Sequence, residues 1–339
     1  MDPFIAVPPQ HYGGIERVIA DLANGLHRRG HQVTMWAAPG SSIQGNVVPF
    51  GRESEWTRWS NIRNTVHLSS RLWRLRGKFD LIHNFGRLAY LTSVLRWDLP
   101  KVQTYMRPVD AENMVLARRL GERRLHYTAV SAAIRDTGAP GGGEWSVIYN
   151  CAPVEQFSFR VDADPATAPL VFLGRLERCK GAHTAIAVAK QLGRRLVIAG
   201  NVSSLPNERK YFHEEIEPKL DAELVSYIGP VDNAAKNRLL GSAAALLLPI
   251  EWEEPFPVVL PEALLCGTPV IAFRRGGVPE GIDHGRTGFL CDTEEEMVAA
   301  VQQLSRIDRG VCRAEGVRRF GDDAILAEYE RLYYRLLAS

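Results

Sequence analysis

Short apolar runs, each closed by glycine or proline and followed by a stretch of helical periodicity, recur along this chain and leave it few folds to adopt. The runs are 32–38, 80–83, 101–106, 127–131, 170–173, 195–200, 225–228, 243–249 and the segment from Val270 to Phe273. Amphipathic segments lie between them. Ile15, Val18, Ile19, Leu22 and Leu26 share one helical face that stops at Gly30, and Ala182, Ala185, Ile186, Ala189 and Leu192 share another. A final amphipathic stretch runs from Ala324 to Leu337. Strand then helix, repeated, predicts an α/β architecture of doubly wound parallel sheets. One element is in short supply: the segment Ala6-Val7-Pro8-Pro9-Gln10-His11-Tyr12 leaves almost nothing to form a strand before Gly13-Gly14. Either the start is late or another segment takes the central slot.

Two loops carry the chemistry. In the run Glu253-Glu254-Pro255-Phe256-Pro257-Val258-Val259-Leu260-Pro261-Glu262, the first two prolines forbid a helix. A helix is expected to open near Pro261 and close at Gly267, followed by a buried strand that runs into Arg274-Arg275-Gly276-Gly277. Glu254 then precedes a helix N-terminus and Glu262 lies in its first turn, with backbone N–H groups between them able to hold an anion. A single glutamate there would equally serve the helix dipole alone. The other loop, Gly174-Arg175-Leu176 with Lys180-Gly181, places two cations between a strand and a helix. By itself it reads as a solvated turn, and it has neither the phosphate-loop nor the dinucleotide glycine pattern. Yet Arg175 offers a bidentate fork for phosphate and Lys180 a compact charge beside it.

At 339 residues the chain suggests two domains. Asn150 to Pro169, rich in Pro, Ala and Asp, is the expected linker. The expected division is 1–155, joined by the helix 324–339, and 156–323. Net charge is only +2, which argues against nucleic acid as the main partner. The halves differ: residues 1–150 hold 19 Lys/Arg against 12 Asp/Glu, a net +7, and the remainder 22 against 27, a net −5. Between Trp56 and Lys78, the apolar Trp56, Trp59, Ile62, Val66 and Leu72 alternate with Arg58, Arg63, Arg71, Arg74 and Arg76. This is either a surface helix with solvated arginines or a basic face for an anionic acceptor or membrane surface. A second basic cluster, Arg118, Arg119, Arg123 and Arg124, favours the latter. Five cysteines without metal-ligand spacing read as free thiols in a reducing compartment. No run nears the ~20 apolar residues of a membrane span, and Met1-Asp2-Pro3-Phe4 lacks the features of a signal peptide. The expectation is a cytoplasmic protein, peripheral at most to the inner membrane face.

The two glutamates, with seven residues between them and followed by Ala-Leu-Leu-Cys-Gly-Thr-Pro-Val-Ile-Ala, form an E-x7-E pattern. With Gly174-Arg175 and Lys180-Gly181, it resembles the signature of retaining family-4 glycosyltransferases. So do Tyr12-Gly13-Gly14-Ile15-Glu16-Arg17, Asp80-Leu81-Ile82-His83, Thr128-Ala129-Val130-Ser131 and Ile228-Gly229-Pro230. Gly276-Gly277-Val278-Pro279-Glu280 and Thr287-Gly288-Phe289-Leu290 complete the match, which covers nearly the whole chain. It is most similar to small bacterial members that glycosylate antibiotics, pterins or polysaccharide precursors. The resemblance implies the GT-B fold, two Rossmann-like domains facing a central cleft, the first for the acceptor and the second for a nucleotide sugar. It assigns Arg175 and Lys180, beside Gly174, to the donor diphosphate, Glu262 to the ribose hydroxyls, and Glu254 to the transferred sugar. Phe256, Pro257, Val258 and Val259 would border sugar and phosphate, with the base near Ile228, Gly229 and Pro230. Gly13, Gly14, His83, Met106 and Arg107 would line the acceptor side.

The reaction so implied is transfer of a hexosyl group with retention, through an oxocarbenium-like transition state. The departing diphosphate would be stabilised by Arg175, Lys180 and the helix start. A UDP-hexose, foremost UDP-glucose, is the expected donor, and a small molecule, glycan or lipid-linked glycan the acceptor. No metal or other cofactor is expected. Three departures from the pattern stand out: Met106 where many members have histidine, Pro257 where glycine is common, and Asn150-Cys151-Ala152-Pro153 at the inter-domain turn. His83 could stand in for the missing imidazole or be structural. A non-catalytic nucleotide-sugar-binding protein and, more remotely, a sugar-nucleotide epimerase are the rival readings.

Overall fold

A computed structural model describes residues 4–9, 13–51, 58–75 and 77–339, without the side chains of residues 58, 60 and 61. Gln10, His11, Tyr12, Trp56 and Arg76 lie outside the described residues. The chain divides into two compact units, one of Met1–Asn150 with Asp322–Ser339 and one of Cys151–Gly321.

The first unit contains β1 (Thr34–Ala37), β2 (Asn46–Pro49), β3 (Ile82–Asn84), β4 (Lys101–Tyr105), β5 (Leu125–Ala129) and β6 (Glu144–Val147). Every pairing is parallel, but the strands form two sheets, β1-β2 and β3-β4-β5-β6, not one. No described strand joins β1 to β3. Their side chains nevertheless share packing: Trp36 of β1 and Ile82 of β3 border one apolar cluster, and Met35 and Phe85 belong to another. Val7 belongs to the second cluster and is fully buried, its N–H donating to Ser41 Oγ at 2.9 Å. The helix Gly14–Arg28 buries Val18, Ile19, Leu22 and Leu26. Beyond its end, Arg29 and His31 both reach Glu330 of the helix Asp322–Ala338, at 2.5 and 2.8 Å.

The second unit is a single six-stranded parallel sheet: β7 (Leu170–Leu173), β8 (Leu196–Ala199), β9 (Val225–Tyr227), β10 (Ala245–Leu248), β11 (Val270–Phe273) and β12 (Gly288–Cys291). Its order is β12-β11-β10-β7-β8-β9. All residues of β10, β11 and β12 are buried, which is why these strands read as unbroken apolar runs and not as alternation. Among the described residues no helix is long and apolar enough to cross a membrane.

Candidate active site

In the second unit the parallel strands bring their carboxyl ends to one edge of the sheet. The strand order turns about β7 and β10: from β7 the chain goes to β8 and β9 on one side, then returns to β10, β11 and β12 on the other. Open α/β sheets hold ligands outside the strand ends at such a switch point. β7 delivers Gly174, Arg175 and, after the 3-10 turn Arg178–Lys180, the ammonium of Lys180. β10 delivers Pro249 and then Glu254. These groups, 74 residues apart in sequence, meet: Lys180 Nζ donates to Glu254 Oε2 at 2.5 Å, with side chains only 14% and 10% exposed. The same ammonium sits 5.2 Å from the centre of the Trp252 ring, a favourable cation–π position.

Two glycines let the loops come this close. Gly181 adopts a left-handed conformation (φ 76°), and a Cβ there would lie 1.9 Å from the Pro249 carbonyl oxygen. Gly200, just past β8, has φ 142°, and its Cβ would lie 1.8 Å from the Gly174 carbonyl oxygen. Neither position accepts a side chain without moving the backbone. Arg175 Nη1 is held 2.7 Å from Oε1 of the buried Glu177. The turn after β11 fastens the acidic loop: Gly276 N–H donates to Glu253 Oε2 at 2.6 Å and Gly277 N–H to the Glu254 carbonyl at 2.7 Å.

The helix after Glu254 runs Val259–Leu265, so it opens two residues before Pro261, where the opening was expected. Pro261 is its third residue, a place where an N–H would have no partner inside the helix. Pro257 lies ahead of the helix and its carbonyl accepts from Leu260 N–H at 3.1 Å. Among the described residues, no acceptor engages the N–H groups of Val258 and Val259. Glu262, 5% exposed, is paired through Oε1 with Lys236 Nζ, which comes from the helix Asn233–Gly241. Phe256 is buried with its ring 5.4 Å from Phe320, so its side chain serves the core and only its backbone is left for a ligand. Ile228, half exposed, and Gly229 (φ 75°) end β9, and the Gly229 carbonyl accepts from Gly200 N–H at 2.9 Å. Ile228, Gly229 and Pro230 therefore share the carboxyl edge with Gly174 and Lys180.

Sequence reasoning missed Lys236, the partner of Glu262, and Trp252, whose ring lies against Lys180. It also missed His183, whose Nε2 lies 2.9 Å from Glu251 Oε1 and whose Nδ1 lies 2.9 Å from the Tyr211 hydroxyl. Trp252 and Glu251 adjoin Glu253 in sequence and could have been flagged; nothing local marks Lys236.

The acceptor-side residues belong to the first unit. Gly13 is the buried cap residue of the helix that Gly14 begins. At the carboxyl end of β4, Met106 is 8% exposed and turned inward, whereas Arg107 faces solvent. His83, at the end of β3, has both ring nitrogens engaged within the first unit. Its Nδ1 lies 2.6 Å from the Tyr333 hydroxyl, its Nε2 lies 2.6 Å from Thr104 Oγ1, and its ring centroid lies 4.0 Å from that of Phe85 at a tilt of 33°. Desolvation pushes its pKa down to about 3, so it is a neutral structural residue with both nitrogens occupied.

The chain is similar to known proteins over most of its length. The model for "Glycosyltransferase Family 4" matches residues 12–156, and that for "Glycosyl transferases group 1" matches residues 155–314. A D-inositol 3-phosphate glycosyltransferase of Pseudarthrobacter chlorophenolicus is 27% identical over 253 residues, 64% of this chain and 59% of that protein. The chain spans between 31% and 59% of the length of the first curated relatives it matches. The structure of AviGT4, a glycosyltransferase involved in avilamycin A biosynthesis, superposes with a TM-score of 0.70 at 27% identity, covering 100% of this chain and 94% of that one. Anabaena Alr3699/HepE in complex with UDP-glucose gives a TM-score of 0.75 at 18% identity, covering 96% of each chain. The chain belongs to the family-4-like glycosyltransferases of the GT-B fold.

Proposed function

We propose that this chain transfers a hexosyl group from a nucleotide sugar, foremost UDP-glucose, to an acceptor with retention of anomeric configuration. The observation that carries the reading is the nearly sealed Lys180–Glu254 pair at the switch point of the second unit. Such a pair presents a cation and a carboxylate together where a sugar diphosphate needs one of each. In the ligand-free chain Lys180 neutralises Glu254. When a diphosphate arrives, Lys180 and Arg175 turn to its oxygens, the Val258 and Val259 N–H groups add donors, and Glu254 is released to the sugar hydroxyls. Glu262 takes the ribose and Ile228 borders the base. Leaving-group charge is then met by preorganised donors, the largest single contribution in many transfer reactions. These two cations take the role that a metal plays elsewhere.

Support for a UDP-sugar comes from the structural neighbour that holds UDP-glucose. The acceptor is a small molecule, a glycan or a lipid-linked glycan, and the net positive first 150 residues favour one that is acidic or presented at the inner membrane face. A thermal-shift screen with UDP, GDP, ADP and TDP sugars tests the donor site, because a ligand for the folded state alone raises the melting temperature. Stabilisation by none of them refutes the reading. A binding protein without transfer is the rival, favoured by the inward Met106 and the divided first sheet. Slow hydrolysis of the stabilising donor separates the two, since a transferase leaks it and a sensor does not.

A further inference from the structure

The helix Arg58–Arg74 carries two apolar faces where a surface helix needs one. Leu68 and Leu72 are 7% and 4% exposed and join the core with Phe50, Tyr90 and Leu91. On the far side, Trp59, Ile62, Val66 and Trp73 are 80%, 55%, 63% and 68% exposed. At ~100° per residue these four fall within an arc of about 60°, nearly opposite Leu68. The stripe is straight and about 21 Å long, with a tryptophan at each end. Round the helix from it come Arg63, Arg74 and His67, all exposed, and no Asp or Glu occurs between Arg58 and Arg74. The combination recurs in the same unit, where Leu116 and Leu120 are 53% and 39% exposed beside Arg119 and Arg123.

We propose that this outer face docks on an anionic lipid bilayer, with the helix lying in the plane of the interface. Tryptophan suits that depth, with an apolar ring inward and an indole N–H among the head groups. Arginine beside the stripe can lay its alkyl stem along the apolar surface and fork two donors onto a lipid phosphate. A straight stripe flanked by charge of one sign matches a flat anionic plane. A second copy matches it less well, because pairing two such helices would bring together two faces that carry arginine and no carboxylate. The inference concerns the first unit and stands apart from the donor chemistry of the second.

The test is co-sedimentation of the full chain with phosphatidylcholine vesicles, with and without phosphatidylglycerol. The chain should pellet with the anionic vesicles, less so as salt rises, and its tryptophan emission should shift to the blue. Partition should fall about fivefold for each of Arg63→Gln and Arg74→Gln, and more than about tenfold for Trp59→Ser combined with Trp73→Ser. These exposed substitutions leave the core intact, and an unchanged thermal shift with the nucleotide sugar reports correct folding independently of lipid. Wild-type protein that stays in the supernatant with anionic vesicles overturns the proposal. So does equal partition of the wild type and the double serine variant. A wild-type dimer in sedimentation velocity that the serine variant abolishes also overturns it, by giving the stripe to a second copy.

Discussion

On the proposed reading, replacing Glu254 with glutamine should separate diphosphate binding from transfer. Lys180 Nζ and Glu254 Oε2 are 2.5 Å apart, and the two side chains are 14% and 10% exposed. At an effective dielectric of ~20, unit charges about 4 Å apart attract by about 4 kcal/mol. Removing one member of a buried pair costs about 3–5 kcal/mol, because the other is left desolvated and unmatched. Glutamine keeps the shape and loses the charge. At the lower figure, a unit of this size should melt about 6–12 °C lower. A diphosphate returns a partner to Lys180, so UDP should raise the melting temperature of Glu254→Gln more than that of the wild type. By calorimetry, UDP should bind the variant as tightly as the wild type or up to about tenfold tighter, since no Lys180–Glu254 contact must first be broken. Transfer from UDP-glucose should fall by at least about a hundredfold. UDP binding that weakens in step with transfer would refute the exchange of partners, and unchanged transfer would refute any role of Glu254 at the sugar.

Other expectations follow from the same geometry. Arg175→Ala combined with Lys180→Ala should weaken UDP binding by at least about a hundredfold, at about 1.5–3 kcal/mol for each charge-assisted contact; equal affinity by calorimetry counts against the diphosphate site. Gly200→Ala puts a Cβ 1.8 Å from the Gly174 carbonyl oxygen at φ 142° and should lower stability by more than about 2 kcal/mol; an unmoved urea midpoint argues against the close approach. His83 has a folded pKa lowered to about 3, below its unfolded value, so its contribution is complete above pH ~6.5 and is lost as pH falls toward 3. The difference in unfolding free energy between wild type and His83→Gln should shrink across that window by up to about 1.4 kcal/mol per pH unit, and a pH-independent difference removes the assignment. If Arg175 and Lys180 carry the leaving-group charge, a chelator leaves transfer unchanged; loss of activity that magnesium restores would refute this.

How much of this was legible in the sequence varies with how local the cause is. β10 and β11 are buried on both faces, so their runs are continuous and obvious. β2 and β6 went unseen because Asn46–Pro49 and Glu144–Val147 are edge strands without a fully buried residue. His83 ends a strand, which suggested a cleft; its true partners, Thr104 and Tyr333, lie 21 and 250 residues away. The helix Arg58–Arg74 shows the limit of periodicity. Trp59, Ile62, Val66 and Leu72 stood together as apolar residues, yet only Leu72 among them is in the core. Period alone says that a face exists and not what it meets.

The two glutamates were legible as a pattern, but their state was not. Each is nearly sealed from water and each is matched by one lysine from a distant segment, Lys180 for Glu254 and Lys236 for Glu262. A buried ion pair is a poor device for stability, since apolar side chains of the same size usually do as well or better. Two such pairs, one in the loops after β7 and β10 and one between the helices Asn233–Gly241 and Val259–Leu265, therefore call for a reason other than stability. A site for a sugar diphosphate supplies one. Its carboxylates must be ready for hydroxyl groups and its ammonium for phosphate, and before the ligand comes each sign can be held only by the other. On this argument Lys236→Met should harm the unliganded chain as much as Glu254→Gln does. UDP should recover less of the loss, because no phosphate replaces Lys236 beside Glu262. Equal recovery by UDP in both variants would show that the two pairs do not divide the ligand between phosphate and ribose.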